Sequence, residues 1–466
     1  MRHIHTFTYF ICMVSAMGGL LFGYDWVVIG GAKPFYEVFF GIEGSPTMQG
    51  VAMSTALVGC LIGAMVAGAL ADRYGRKPLL IVAAVLFTVS ALATGCFSDF
   101  VMFNVARFVG GIGIGVASAL SPMYIAEISP SDMRGRLVSL NQMTIVIGIL
   151  SAQVVNWLLA DEVPATFTNS DILDSWNGQR GWRWMFWAEA VPAALFLILA
   201  FFIPESPRWQ ALNGRETSAL KTLTRVGGEE YAKTELSNIR ATALANTTET
   251  QGGLHTLFSR RFAAVLTLGI IVAVFQQWCG TNVIFNYAQE IFAAAGYSVG
   301  DVLFNIVITG VANVIFTIVA LYVVDRWGRR SLMLFGAGGL GIIYLTLGTC
   351  YYAGVTGFFM VILVVAAIAC YAMSLGPVTW VLLSEIFPNR VRGIAMATCT
   401  FALWTGCTTL TYSFPTLNAT LGSSGTFWVY AIICALGFTF FYLRLPETKG
   451  KSLETLETDL FGNRTN

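Results

Sequence analysis

Five side-chain amides fall within fourteen residues of one apolar run: Gln276, Gln277, Asn282, Asn286 and Gln289. An amide both donates and accepts hydrogen bonds, so a group of amides suits a ligand covered in hydroxyls. Amides in membrane helices also bond across helix interfaces, so a single one decides nothing. Five in one run favour a polar site. Gly280 sits among them, where a break in the helix would open backbone groups to a cavity. Asp25 and Arg107 carry a second kind of chemistry, as the ionisable residues deepest in the apolar runs of the N-terminal half. An unpaired charge in hydrocarbon is costly, so pairing is expected, and such residues mark ion pathways by default. A permanent structural ion pair is the other reading.

The elements that position these groups follow from composition. Of 466 residues, 56% are apolar and 11% charged, whereas a soluble domain is about 25% charged. A net charge of +1 excludes polyanion binding through bulk charge, so no nucleic-acid partner is expected. The 34 phenylalanines do not suit a solvated coil. The nine cysteines lie in or beside apolar runs without a CxxC pair and read as small core- or lipid-facing residues. The glycines of Gly110-Gly111-Ile112-Gly113-Ile114-Gly115 lie in mid-run, where close helix packing explains them better than phosphate binding. No nucleophile–base pair or metal-ligand constellation is present, so neither an enzyme nor a metal or cofactor is expected. The three histidines lie in terminal or loop segments, which excludes a buried histidine relay.

A bilayer core about 30 Å thick needs roughly 20 apolar residues per helix. Twelve such runs occur, at about 8–32, 48–71, 78–97, 101–127, 137–160, 182–203, 262–293, 300–324, 331–353, 358–385, 393–417 and 425–444. The first is too long for a signal peptide and lacks a cleavage site, so it reads as a span. With the N-terminus inside, all Lys and Arg fall on the cytoplasmic side except Lys33, Arg180, Arg183 and the intramembrane Arg107. Both termini are therefore expected in the cytoplasm. The expected division is a six-helix half over 1–203, cytoplasmic linker helices over 204–261, a second six-helix half over 262–445 and a tail over 446–466.

The halves repeat each other. Asp72-Arg73-Tyr74-Gly75-Arg76-Lys77 follows span two, and Asp325-Arg326-Trp327-Gly328-Arg329-Arg330 follows span eight. Glu127-Ile128-Ser129-Pro130 with Arg134-Gly135 recurs as Glu385-Ile386-Phe387-Pro388 with Arg392-Gly393. Pro204-Glu205-Ser206-Pro207-Arg208 recurs as Pro446-Glu447-Thr448-Lys449-Gly450. Three paired motifs in one order mark parallel repeats, which put a substrate path between the halves near the bilayer midplane.

These motifs, together with Phe22-Gly23-Tyr24-Asp25, Phe275-Gln276-Gln277 and Gly376-Pro377-Val378-Thr379-Trp380, resemble the sugar porters of the major facilitator superfamily over nearly the whole chain. The nearest resemblance is to the proton-coupled xylose and glucose carriers. The fold implied is all-α, with twelve transmembrane helices in two pseudo-symmetric six-helix halves. The function implied is import of a monosaccharide with a proton, by alternating access and without a cofactor. Resemblance selects Gln142, Gln276, Gln277, Asn282 and Asn313 as sugar ligands. Trp380 and Trp404 offer aromatic faces, and Phe22, Gly376, Phe285 and Ile149 line the same pocket. Ile149 stands seven residues after Gln142, on the same helix face.

Asp25 takes the place where a carboxylate accompanies proton symport, with Arg107 as its cation. Asp72, Arg73, Arg76, Glu127, Arg134, Glu205, Arg208, Asp325, Arg326, Arg329, Glu385, Arg392 and Glu447 are expected to form a cytoplasmic charge network that changes with state. The pattern departs from the family at Thr281, where Ile is usual, at Asn286 for Tyr, and at Leu403 and Cys407 for polar residues. The rivals are a passive sugar uniporter, which needs Asp25 to be structural only, and a membrane sugar sensor, which is expected to carry a long tail. About twenty residues follow Pro446. A monomer in a bacterial inner membrane is expected.

Overall fold

In hydrocarbon a spanning segment must satisfy its own backbone polar groups, which a helix does and an isolated strand does not. The computed structural model describes residues 2–130, 133–164, 167–248, 260–387 and 392–448, and every regular element there is helical. Segment 249–259, the tail beyond 448 and the side chains of Asp325 and Arg392 lie outside the described residues.

In chain order the helices are α1 (Arg2–Phe40), α2 (Pro46–Tyr74), α3 (Arg76–Cys96), α4 (Phe100–Ile128), α5 (Arg134–Leu159) and the short α6 (Asn169–Asp174). A π-helical turn (Asn177–Gly181) leads into α7 (Trp182–Ala200). The linker carries α8 (Pro207–Leu212), α9 (Glu216–Gly227) and α10 (Glu229–Thr248). Then follow α11 (Arg260–Trp278), α12 (Thr281–Asn286), α13 (Ala288–Ala294), α14 (Val299–Trp327), α15 (Arg329–Tyr352), α16 (Phe358–Met373), α17 (Leu375–Ile386) and α18 (Arg392–Arg444).

Eleven described segments are long and apolar enough to cross a membrane. The last of them, Ile394–Arg444, has 51 residues, enough for two passes at about 20 residues each. Gly422 interrupts it with φ 69° and ψ 173°, a backbone that only glycine adopts without strain. The passes therefore number twelve, as the hydropathy reading expects. Two boundaries differ from that reading. Span one continues through Pro34 to Phe40, because a proline in a membrane helix is tolerated where neighbours re-satisfy the freed carbonyl. Spans eleven and twelve run together on either side of Gly422 rather than being separated by a loop.

The chain forms two compact units: Met1–Ile29, Thr55–Val155 and Arg180–Gln251 in one, and Gly30–Ser54, Asn156–Gln179 and Gly252–Asn466 in the other. In the first, α3 packs against α4 and α7. Helices α2 and α4 cross at glycines, since a Cβ on Gly111 would lie 2.0 Å from the Ala56 carbonyl oxygen and one on Gly115 2.2 Å from that of Cys60. The glycine run thus serves close packing, as its mid-span position suggests. The linker helices of this unit pack on one another around Ala219, Leu223, Ala232 and Leu236. In the second unit α15 packs on α18, and α14 on α16.

Candidate functional site

Span seven breaks where the sequence places its glycine. Gly280 has φ 89°, between the end of α11 and the start of α12. All six residues of α12 are buried. The amides on either side of the break form a directed chain across the second unit. Gln276 Nε2 donates to the Tyr371 hydroxyl of α16 at 2.7 Å, and Gln277 Nε2 donates to Gln276 Oε1 at 2.5 Å. Asn282 Nδ2 donates to Gln277 Oε1. Gln276, Gln277 and Asn282 are 5–8% exposed. Each link uses one donor and one acceptor and leaves others free for a hydroxyl-bearing ligand.

Two departures from the family pattern take on physical sense here. The Thr281 hydroxyl lies 3.3 Å from the Tyr344 hydroxyl, so it bonds into the helix packing. Cys407 Sγ accepts from Asn282 Nδ2 at 3.9 Å, so it supports the amide chain from α18. Leu403 and Asn286 are both buried.

The other residues that the resemblance selects belong some to one unit and some to the other. Asn313 on α14, Trp404 on α18 and Phe285 on α12 are buried in the second unit, where Trp380 on α17 is 38% exposed and Gly376 half-buried. Gln289 on α13 is half-buried. Gln142 and Ile149 on α5 and Phe22 on α1 are half-buried in the first unit.

Asp25 and Arg107 meet as their burial requires. Arg107 Nη1 donates to Asp25 Oδ1, and Nη2 donates to the Asp25 carbonyl oxygen at 3.2 Å. Both residues are 2% exposed, and the guanidinium lies 5.5 Å from the centre of the Phe186 ring. The sequence reading missed the third member. Glu189 of α7, also 2% exposed, is an acid neighbouring Asp25 in the same buried cluster. The signal was available, because Glu189 is the one acid inside span six. The buried cluster therefore holds two carboxyls and one guanidinium away from water, where unpaired charge is costly. Asp25 Oδ2 has no hydrogen-bond partner among the described residues.

The charged motifs build the same structure twice. In the first unit Arg76 forks onto Glu127, with Nε to Oε2 at 3.0 Å and Nη2 to Oε1 at 2.9 Å. Glu205 accepts from the Arg76 backbone N–H at 2.9 Å and from that of Lys77 at 3.2 Å, capping the positive end of α3. Ser206 Oγ donates to Glu127 at 2.6 Å. In the second unit Arg329 Nη2 reaches Glu385 at 3.0 Å. Glu447 accepts from the backbone N–H groups of Arg329 at 2.9 Å and Arg330 at 3.2 Å, and Thr448 donates to Glu385 at 2.5 Å.

The other expected members lie around these motifs. Asp72 pairs with Arg76 at 3.3 Å from an exposed position, and Arg73 stacks over Tyr74. Arg134 Nη2 donates to the Ser129 carbonyl at 3.4 Å. Arg208 and Arg326 are exposed.

Each capped helix starts on a glycine with positive φ, Gly75 at 102° and Gly328 at 87°. A Cβ on Gly75 would lie 2.2 Å from Glu205 Oε2. Gly75→Ala is therefore expected to cost about 1–3 kcal/mol, read as a lower thermal denaturation temperature of the purified protein. An unchanged temperature would show that the Glu205 cap is not under this steric constraint.

With this geometry in place, relatives can be compared. The family model described as "Sugar (and other) transporter" matches residues 11–460. The chain belongs to the sugar transporter family. It is 37% identical over 456 residues to the arabinose-proton symporter of Bacillus subtilis, covering 98% of this chain and 95% of that one. It is 36% identical to the D-xylose-proton symporter of Escherichia coli, covering 97% and 95%. It is similar to the inward-open structure of the xylose transporter XylE from E. coli at a TM-score of 0.83 and 34% identity, covering 97% and 99%. The fold is that of the major facilitator superfamily, all-α, with twelve membrane passes in two six-helix halves.

Proposed function

We propose that this protein imports a monosaccharide together with a proton, by alternating access and without chemical conversion of the sugar. One observation carries the reading: a buried Asp25–Arg107 ion pair with Glu189 beside it, in the same chain as a buried amide relay of Gln276, Gln277 and Asn282. The relatives named as arabinose- and xylose-proton symporters support it.

The sugar is held by the amides of span seven, with Asn313, Gln142 and Trp404 as further ligands. Phe22, Ile149, Phe285, Gly376 and Trp380 shape its surroundings. The candidate sugars are glucose, xylose, galactose and arabinose, whose hydroxyls match paired amides. Protonation of the carboxyl pair loosens its hold on Arg107, and loss of the proton restores it. Coupling follows if the two forms of the cluster favour different facing states. The protein acts as a monomer in a bacterial inner membrane with both termini cytoplasmic. Its halves divide at residues 203 and 262, with the linker helices between.

The test uses the purified protein in liposomes with labelled glucose outside. Each unlabelled candidate sugar is added in turn, and external pH is recorded. Competition by at least one sugar, with alkalinisation of the medium on its addition, is the expected result. Competition without a pH change would leave a passive uniporter. No competition by any of them would remove the monosaccharide reading.

A further inference from the structure

Lys33 reads in sequence as a cation in an external loop, yet it lies inside α1 and is 2% exposed. Its ammonium pairs with Glu37, one turn on, at 2.9 Å, and with Glu290 of α13. It stands 5.5 Å from the centre of the Tyr287 ring. Gln49 Nε2 donates to Glu37 at 3.4 Å, and Glu43 is the other acid near Glu37. Gly30, three residues before Lys33, gives the close approach this requires: a Cβ there would lie 3.0 Å from the Asn286 carbonyl oxygen and 3.2 Å from that of Phe285. Gly30, Lys33 and Glu37 share one face of α1, and that face runs along the backbone of α12 and α13. A buried ion pair is a costly way to fill space, since apolar residues of similar volume often serve stability as well or better. Here it fixes one specific segment, the one carrying Asn282 at the end of the amide relay.

We propose that Lys33 is a positioning residue for transport: through Glu290 it clamps residues 281–294 against α1, and the cycle proceeds by making and breaking that clamp. The inference rests on the sugar-binding reading of the amide relay. Without the ammonium, Glu37 and Glu290 lose the cation that bridges them, and the segment is no longer tied to α1. The released state then accumulates, and turnover waits on its return. Lys33 itself holds no sugar, so its loss slows cycling without weakening binding.

The test is amide hydrogen exchange on the full chain in lipid nanodiscs without sugar, paired with uptake kinetics in liposomes. Lys33→Met is expected to exchange roughly tenfold faster across 281–294 while α3 and α15 stay protected. Its kcat is expected to fall roughly fivefold with KM not raised. The charge exchange Lys33→Glu with Glu290→Lys is expected to return both readouts to within about twofold of the starting protein. Unchanged exchange across 281–294, a raised KM with kcat intact, or no recovery in the charge exchange would overturn the proposal. If Lys33→Met unfolds globally, Glu290→Gln decides: faster exchange confined to 281–294 supports the clamp, and unchanged exchange refutes it. Exchange is read without sugar, so a chain that binds none of the candidate sugars would remove the sugar reading while the clamp is judged on its own.

Discussion

Asp25→Asn is expected to abolish accumulation of sugar against its gradient while leaving sugar binding largely intact. Asparagine keeps the shape of the side chain and can still bond Arg107 through its carbonyl oxygen, but it cannot change charge. The amide relay lies on α11 and α12 and contains no bond to Asp25, so affinity should not depend on that carboxylate. Coupling should. One proton moving down ~100 mV supplies about 2.3 kcal/mol, enough for roughly fifty-fold accumulation when ~1.4 kcal/mol is tenfold. That whole ratio should vanish in the variant, while exchange of sugar between compartments at equal pH persists. Glu189→Gln should also weaken coupling, because Glu189 is the second buried acid beside the Asp25–Arg107 pair. Arg107→Ala should behave differently. It leaves two buried acids without their cation, and stranding a buried charge costs about 3–5 kcal/mol, so lower thermal stability should accompany the loss of coupling. An Arg107→Ala protein as stable as the parent would show that the cluster is not electrically closed.

The second large effect is expected at the centre of the relay. Gln277 donates to Gln276 and accepts from Asn282, so Gln277→Ala removes a proposed sugar partner and cuts the relay at its middle link. Leaving buried polar groups unpaired costs about 1–3 kcal/mol, which corresponds to roughly 5- to 140-fold weaker sugar binding. Calorimetry or equilibrium binding on the purified variant measures it directly. Membrane insertion and the proton response of the Asp25 cluster should be unaffected, since the substitution leaves Asp25, Arg107 and Glu189 and the bonds between Asp25 and Arg107 in place. Unchanged affinity would mean that the relay is helix-to-helix bonding, the alternative that amides in membrane helices always carry.

The two predictions also mark what the sequence could and could not disclose. Hydropathy located the twelve passes because a bilayer imposes its thickness on every one of them. Gly280 could be read as a break because a glycine flanked by amides in an apolar run has few other uses. The paired motifs around Gly75 and Gly328 announced a repeat, and the structure repeats even their hydrogen bonds, with Glu205 and Glu447 each accepting from two backbone N–H groups.

What stayed hidden was pairing over long sequence separation. Asp25 and Arg107 were expected to meet because both were visibly deep, whereas Glu189, on another helix, looked like one isolated acid. Lys33 and Glu290 stand 257 residues apart, and nothing local distinguishes Lys33 from a loop cation until α1 is seen to continue to Phe40. A helix's extent can be read from its residues. Which buried charges face each other is decided by how helices pack.

Proton coupling is the central claim, and uptake into liposomes under an imposed pH gradient tests it most directly. Parent protein and Asp25→Asn are reconstituted at equal density, and labelled sugar is followed with the interior alkaline and again with no gradient. The parent is expected to concentrate sugar inside only when the gradient is present, and to release it when a protonophore is added. Asp25→Asn is expected to reach the external concentration and stop, gradient or not. Equal final levels in the parent with and without the gradient, or accumulation above the external level by Asp25→Asn, would contradict proton coupling through this cluster.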